Sequence, residues 1–147
     1  MSPRRRITAA LVGLVALVVL GWLGKDLFSG SDPASGGGCV AASQSKVAGA
    51  ASGLKVCPLS GLPKETATTW DAIRAGGPYK YPKNDNVDFF NREGVLPGKA
   101  KGYYREFTVV TPGESTRGAR RLVTGQTGEV YYTADHYKSF VVVDTSR

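Results

Sequence analysis

Tyr103-Tyr104-Arg105-Glu106-Phe107-Thr108-Val109-Val110 alternates between two sets of side chains. In an extended chain, Tyr103, Arg105, Phe107 and Val109 point one way. Tyr104, Glu106, Thr108 and Val110 point the other. Downstream, short strands are expected over Arg120 to Thr124, Glu129 to Thr133 and Ser139 to Asp144. Turn-like breaks at Gly125-Gln126-Thr127-Gly128 and Ala134-Asp135-His136 separate them. Upstream the period changes. Pro63 to Ala75 is expected to be helical, with Pro63 early, Glu65 in the first turn, and Ala67, Trp70 and Ile73 on one stripe. Gly76-Gly77-Pro78 ends it. A helix followed by hairpin-connected strands predicts an α+β domain: one N-terminal helix packed on an antiparallel β-sheet of several strands.

The chain before this domain has a different character. Arg4-Arg5-Arg6 precede an uncharged apolar run from Ile7 to Gly24. Cations followed by such a run make an export segment, read as an uncleaved signal-anchor helix or a removed signal peptide. Residues 7–24 are then the only expected membrane contact, and only if the leader stays. Ser29 to Gly53 is small and polar, with Gly36-Gly37-Gly38 at its centre, and reads as a linker. The expected organisation is 1–28 leader, 29–53 linker and 54–147 folded domain.

The 147 residues exclude a multidomain enzyme. Two cysteines exclude a cysteine-rich miniprotein. With His136 as the sole histidine, a Cys/His metal cage is disfavoured, and no metal or cofactor is expected. In an oxidising compartment Cys39 and Cys57 form the natural disulfide; the alternatives are two free thiols or pairing between chains. The formal charge of +7 favours an anionic partner. It is unevenly placed. Residues 1–30 hold Arg4, Arg5, Arg6 and Lys25 against Asp26, a net +3, residues 31–51 are neutral, and residues 52–147 carry fourteen basic and ten acidic groups.

Four charged features stand out in the domain. Glu106 lies mid-strand, where a carboxylate on a half-buried face needs a reason; pairing with an arginine on the next strand would be one. Arg117, Arg120 and Arg121 cluster before the next strand, or simply solvate a turn. His136 stands in a turn, and histidine is the side chain suited to proton exchange near neutral pH. Glu93 follows Asn91-Arg92 in a loop flanked by Phe89, Phe90 and Pro97. A carboxylate, arginines and a histidine converging across a sheet suit metal-free phosphodiester chemistry. One group takes a proton, another donates one, and cations stabilise charge building on phosphorus.

The order of segments adds to this. Cys57-Pro58-Leu59-Ser60 is followed by Leu62-Pro63, Phe89, Asn91-Arg92-Glu93 and Val95-Leu96-Pro97. Gly102-Tyr103-Tyr104 with Glu106 comes next, then Thr111-Pro112-Gly113, Thr116-Arg117-Gly118, Arg120-Arg121, Tyr131-Tyr132-Thr133 and Asp135-His136-Tyr137. From Val56 to Asp144 the chain resembles the bacterial guanyl-specific ribonucleases, the barnase-like family, in their short secreted Streptomyces form.

The resemblance implies a microbial ribonuclease fold over residues 54–147 and an endoribonuclease cutting single-stranded RNA 3′ to guanosine. It implies that Glu106 is the general base and His136 the general acid, with Arg117 and Arg121 on the phosphate and Tyr137 beside it. It implies that Glu93 accepts the N–H groups of guanine, that amides around Asn91 and Arg92 donate to the guanine oxygen, and that Phe89 lies in the base site. The family also brings a small acidic barstar-like protein as inhibitor. An extracellular or membrane-tethered monomer is expected. A toxin built on the same ribonuclease and a non-catalytic RNA-binding module are the alternative readings. Three departures from the family are visible. The relatives bridge the cysteine matching Cys57 to the C-terminus, where Asp144-Thr145-Ser146-Arg147 has none. The turn between Gly125 and Tyr131 is one residue shorter. Phe90 adds a second aromatic at the base loop.

Overall fold

The Tyr103–Val110 alternation becomes a central strand. In the computed structural model, which describes residues 38–147, the strands are β1 (Val56–Pro58), β2 (Val87–Phe89), β3 (Tyr104–Thr108), β4 (Arg121–Gly125), β5 (Val130–Thr133) and β6 (Val141–Asp144). One α-helix, α1 (Lys64–Ala75), lies between β1 and β2. The sheet order is β1-β6-β5-β4-β3-β2. From β2 to β6 all neighbours are antiparallel, but β1 pairs with β6 in parallel. The sheet is therefore mixed, a correction to the antiparallel expectation. The chain between β1 and the rest is a long crossover containing α1, and such a connection lets the first strand return beside the last in the same direction.

The helix begins at Pro63, the N-cap, as expected from a residue with no N–H to leave unpaired. Gly76 ends it in the left-handed region, at φ 75°. Its N–H bonds the Ile73 carbonyl at 3.1 Å, and the Gly77 N–H reaches Ala72 at 2.9 Å. This pair of bonds closes a Schellman turn that a side chain would strain. Thr66, Trp70 and Ile73 face inward, and Thr66 is fully buried. Trp70 and Ile73, with Leu59, Leu62 and Tyr79, cover one sheet face made of Phe107, Val109, Leu122, Val130, Tyr132 and Val143.

The opposite face carries Val56, Phe89, Leu96, Tyr104, Val123, Tyr131, Phe140 and Val142. It is covered by loops rather than a helix. Val40, Val47, Ala50 and Leu54 pack against it. The approach is close: a Cβ at Gly49 would meet the Tyr131 hydroxyl at 3.2 Å and Val142 Cγ1 at 3.3 Å. Val40 and Val56 exchange two backbone bonds of 2.8 Å, and the adjacent Cys39–Cys57 disulfide fixes that crossing. Among the described residues no helix is long and apolar enough to cross a membrane. The hydrophobic export or anchor helix expected over 7–24 lies outside the described residues.

Candidate active site

The loop-covered face is left open at one end. There the β2–β3 edge, the 91–97 loop and the 134–138 turn enclose a depression of about 750 Å³. Its lining includes Phe89, Arg92, Glu93, Glu106 and Tyr137, all named from the sequence, together with Phe90.

Glu106 owes its place to strand alternation. It shares a face with Tyr104 and Thr108, and its cross-strand neighbours are Val87 and Val123. An adjacent-strand arginine does not explain it. Its hydrogen-bond donor is the Tyr137 hydroxyl, in a short contact to Oε2. Burial pushes the Tyr137 hydroxyl up to about 12, and the Glu106 carboxylate adds to that through the hydrogen bond and its charge. The positive charge of Arg121 works against the rise. Tyr137 thus stays protonated, and a donor to Glu106, throughout the neutral range.

The 134–138 turn is held in a costly shape. His136 and Tyr137 both have positive φ, 59° and 74°. Non-glycine residues adopt this region only where surrounding bonds over-determine it. Here Thr133 Oγ1 accepts the Tyr137 N–H at 3.1 Å and donates to Asp135 Oδ1 at 2.9 Å. Asp135 accepts the Ser139 N–H at 2.9 Å, and the His136 N–H bonds Ala119 O at 3.2 Å. The imidazole itself is exposed, with its ring 5.0 Å from that of Tyr137. His136 therefore stands beside the depression instead of lining it.

The 91–97 loop is clamped by its own asparagine. Asn91, at φ 50°, donates from Nδ2 to Leu96 O at 2.8 Å and accepts the Leu96 N–H at 3.1 Å. Its side chain is turned into the loop, onto the Leu96 backbone. Arg92 and Glu93 are exposed, while Phe89 is buried with its ring 5.1 Å from Tyr137.

The two arginines sit deeper than a solvated turn would allow. Arg121 is 2% exposed and spends Nη1 on the carbonyls of Gly118 (2.9 Å) and Arg120 (2.7 Å). Arg117 donates from Nε (3.1 Å) and Nη2 (2.8 Å) to Thr108 Oγ1. It also lies 4.0 Å from Asp85 and over the Tyr81 ring. Arg120 points elsewhere, 3.8 Å from Glu65.

Comparison with known proteins gives this arrangement a family. A ribonuclease family model matches residues 45–144. Guanyl-specific ribonuclease St of Saccharopolyspora erythraea is 52% identical over 92 residues, covering 63% of this chain and 90% of that protein. The chain belongs to the guanyl-specific ribonucleases. Guanyl-specific ribonuclease Sa of Kitasatospora aureofaciens is similar at 52% over 90 residues, 60% of this chain and 92% of that one. The crystal structure of ribonuclease Sa2 with guanosine-2′-cyclophosphate matches with a TM-score of 0.58 at 47% identity, covering 63% of this chain and 97% of that one.

Some residues that shape this guanyl-specific ribonuclease site escaped the sequence reading. Asp85, 5% exposed, accepts the Thr108 N–H at 2.7 Å and the Tyr81 N–H at 3.1 Å. It fixes the strand end on which Arg117 rests. Thr108 could have been found, because it shares the Glu106 face. Asp85 carries no sequence signal for this role, because Thr108, the partner that matters to the site, is 23 residues away. Arg105 and Asp88 pair at 3.2 Å on the cleft rim.

Proposed function

We propose that the protein is an endoribonuclease that cuts single-stranded RNA 3′ to guanosine through a 2′,3′-cyclic phosphate. One observation carries the reading. Glu106, held by Tyr137, and Glu93, on a clamped loop, line the same depression, as does Phe89. This supports a proton acceptor and a base-edge acceptor serving one bound nucleotide. The solved relative bound to guanosine-2′-cyclophosphate supports the choice of ligand.

The chemistry follows from these groups. Glu106 takes the proton of the ribose 2′-hydroxyl, and the freed oxygen attacks phosphorus. The bond to the departing 5′-oxygen breaks, and His136 supplies its proton. Arg117 and Arg121 face the phosphate oxygens that gain charge, the task their donor forks suit. In the second step His136 takes a proton from water, Glu106 returns one, and the ring opens to a 3′-phosphate. Glu93 accepts from the Watson–Crick edge of guanine, and amides around Asn91 and Arg92 donate to its oxygen. Adenine would leave those groups unpaired.

The location proposed is outside the cytoplasm. The Cys39–Cys57 disulfide and the arginine-led apolar run before the domain support it. A small acidic barstar-like inhibitor is the protein partner this reading adds.

Single-turnover cleavage of a guanosine dinucleotide tests the roles. Glu106→Gln and His136→Ala are each expected to lower the cyclisation rate by about 10²–10⁴, with circular dichroism unchanged. Undiminished rates in either variant contradict the assignment.

A further inference from the structure

One side chain of the cleft has no part in that chemistry. Phe90 is the exposed large apolar residue among those described, at 53%. Phe89 ends β2 with its side chain in the core, and Phe90 follows it outward into solvent. The ring is not bare. The Arg92 guanidinium lies 5.4 Å from its centroid and the Lys101 ammonium 5.9 Å. Lys101 arrives from the other end of the 91–101 segment, so the cluster is built by tertiary structure and not by neighbours alone. Phe90 and Arg92 line the same depression as Glu93 and Glu106.

An exposed aromatic ring flanked by cations 5.4 and 5.9 Å from its centroid has the chemistry of a nucleotide platform. Any base offers a π-face to the ring, and its phosphate offers charge to the cations. We infer that Phe90, with Arg92 and Lys101, forms a subsite for the nucleotide on the 5′ side of the cleaved guanosine. The inference rests on the proposed function, which also gives the direction. The 3′ nucleotide leaves towards His136, which protonates its oxygen and does not line the Phe90 end of the cleft. The guanosine's own 5′-oxygen leads the chain the other way, past the base loop to Phe90. A base entering there displaces an exposed cation from the ring. That contact is weaker than a base–aromatic stack, and the displaced cation gains a phosphate. Continuity with the catalytic depression favours RNA over a protein loop as the occupant.

The test is steady-state cleavage of GpU, ApGpU and GpUpU by the full chain. In the unaltered protein, KM for ApGpU is expected about fivefold or more below that for GpU. Phe90→Ala abolishes this advantage without changing GpU kinetics, Phe90→Tyr keeps it, and Lys101→Ala reduces it. KM for GpUpU does not respond to Phe90→Ala. Equal effects of Phe90→Ala on GpU and ApGpU, or no effect on either, overturn the subsite. An effect confined to GpUpU overturns its direction. Failure of the unaltered protein to cleave GpU overturns the proposed function itself, and the subsite with it.

Discussion

Glu93 and Glu106 are two carboxylates on one cleft with different partners and different proposed tasks. Glu106 is tied to Tyr137, whereas Glu93 is exposed on its loop. Glu93→Ala should therefore strip base choice and leave proton transfer in place. A charged hydrogen-bond acceptor contributes about 1.5–3 kcal/mol, so the preference of kcat/KM for guanosine over adenosine substrates should fall by about ten- to two-hundredfold. Dinucleotide kinetics checks this; an unchanged preference contradicts the role. Much of the residue scale was legible. Alternation along Tyr103–Val110 placed Glu106 and Thr108 on one face, and strand register confirms that face. Residue types alone proposed phosphodiester chemistry; base recognition by Glu93 came from the resemblance. The supports were not legible. The Tyr137–Glu106 bond and the Asp85–Thr108 bond join residues 31 and 23 positions apart, and no local pattern encodes them.

Elements repeated the pattern. The helix and strands β3 to β6 match their periodic stretches to within a residue or two, because each buries one face along a regular repeat. β1 and β2 have three residues each, too few to show a period, and their pairing is set by the ends of the sheet. The parallel β1–β6 ladder was missed for this reason. Composition also hides the packing of residues 40–54, since small side chains fit against Tyr131 and Val142 without an apolar pattern. What ties that segment is covalent. The Cys39–Cys57 loop, of sequence separation 18, should contribute about 3 kcal/mol by limiting the unfolded chain. The Cys39→Ser/Cys57→Ser double variant should melt more than about 10 °C lower and cleave RNA normally in the cold, since neither cysteine lines the cleft. A melting temperature within two or three degrees of the parent, followed by circular dichroism, would contradict this.

For the whole molecule, the +7 charge pointed only to an anionic partner. Within the fold, three of its arginines are also engaged locally: Arg121 on backbone carbonyls, Arg117 on Thr108 and Asp85, and Arg120 beside Glu65. Carboxylates set the acid limit of the fold. Hydrogen bonds from Ser146 and Arg147 hold Asp144 below the usual carboxylate range. Burial opposes ionisation of Glu129 and Asp135, but bonds from Tyr103 and Thr127, and from Ser139 and Thr133, outweigh it and lower both. Groups lowered by folding stabilise fully above their unfolded values near 4 and lose that contribution as pH falls through the folded ones. The melting temperature should hold from about pH 6 to 5 and drop as pH falls below about 4, with a shallower drop in Glu129→Gln. A flat profile in the parent contradicts it. The central claim concerns the reaction, and end-mapping on a defined RNA of mixed sequence, digested with EDTA present, tests it most directly. The account predicts fragments ending in guanosine 2′,3′-cyclic phosphate early and guanosine 3′-phosphate late; equal cutting after all four bases, or no cutting until a metal is restored, would contradict it.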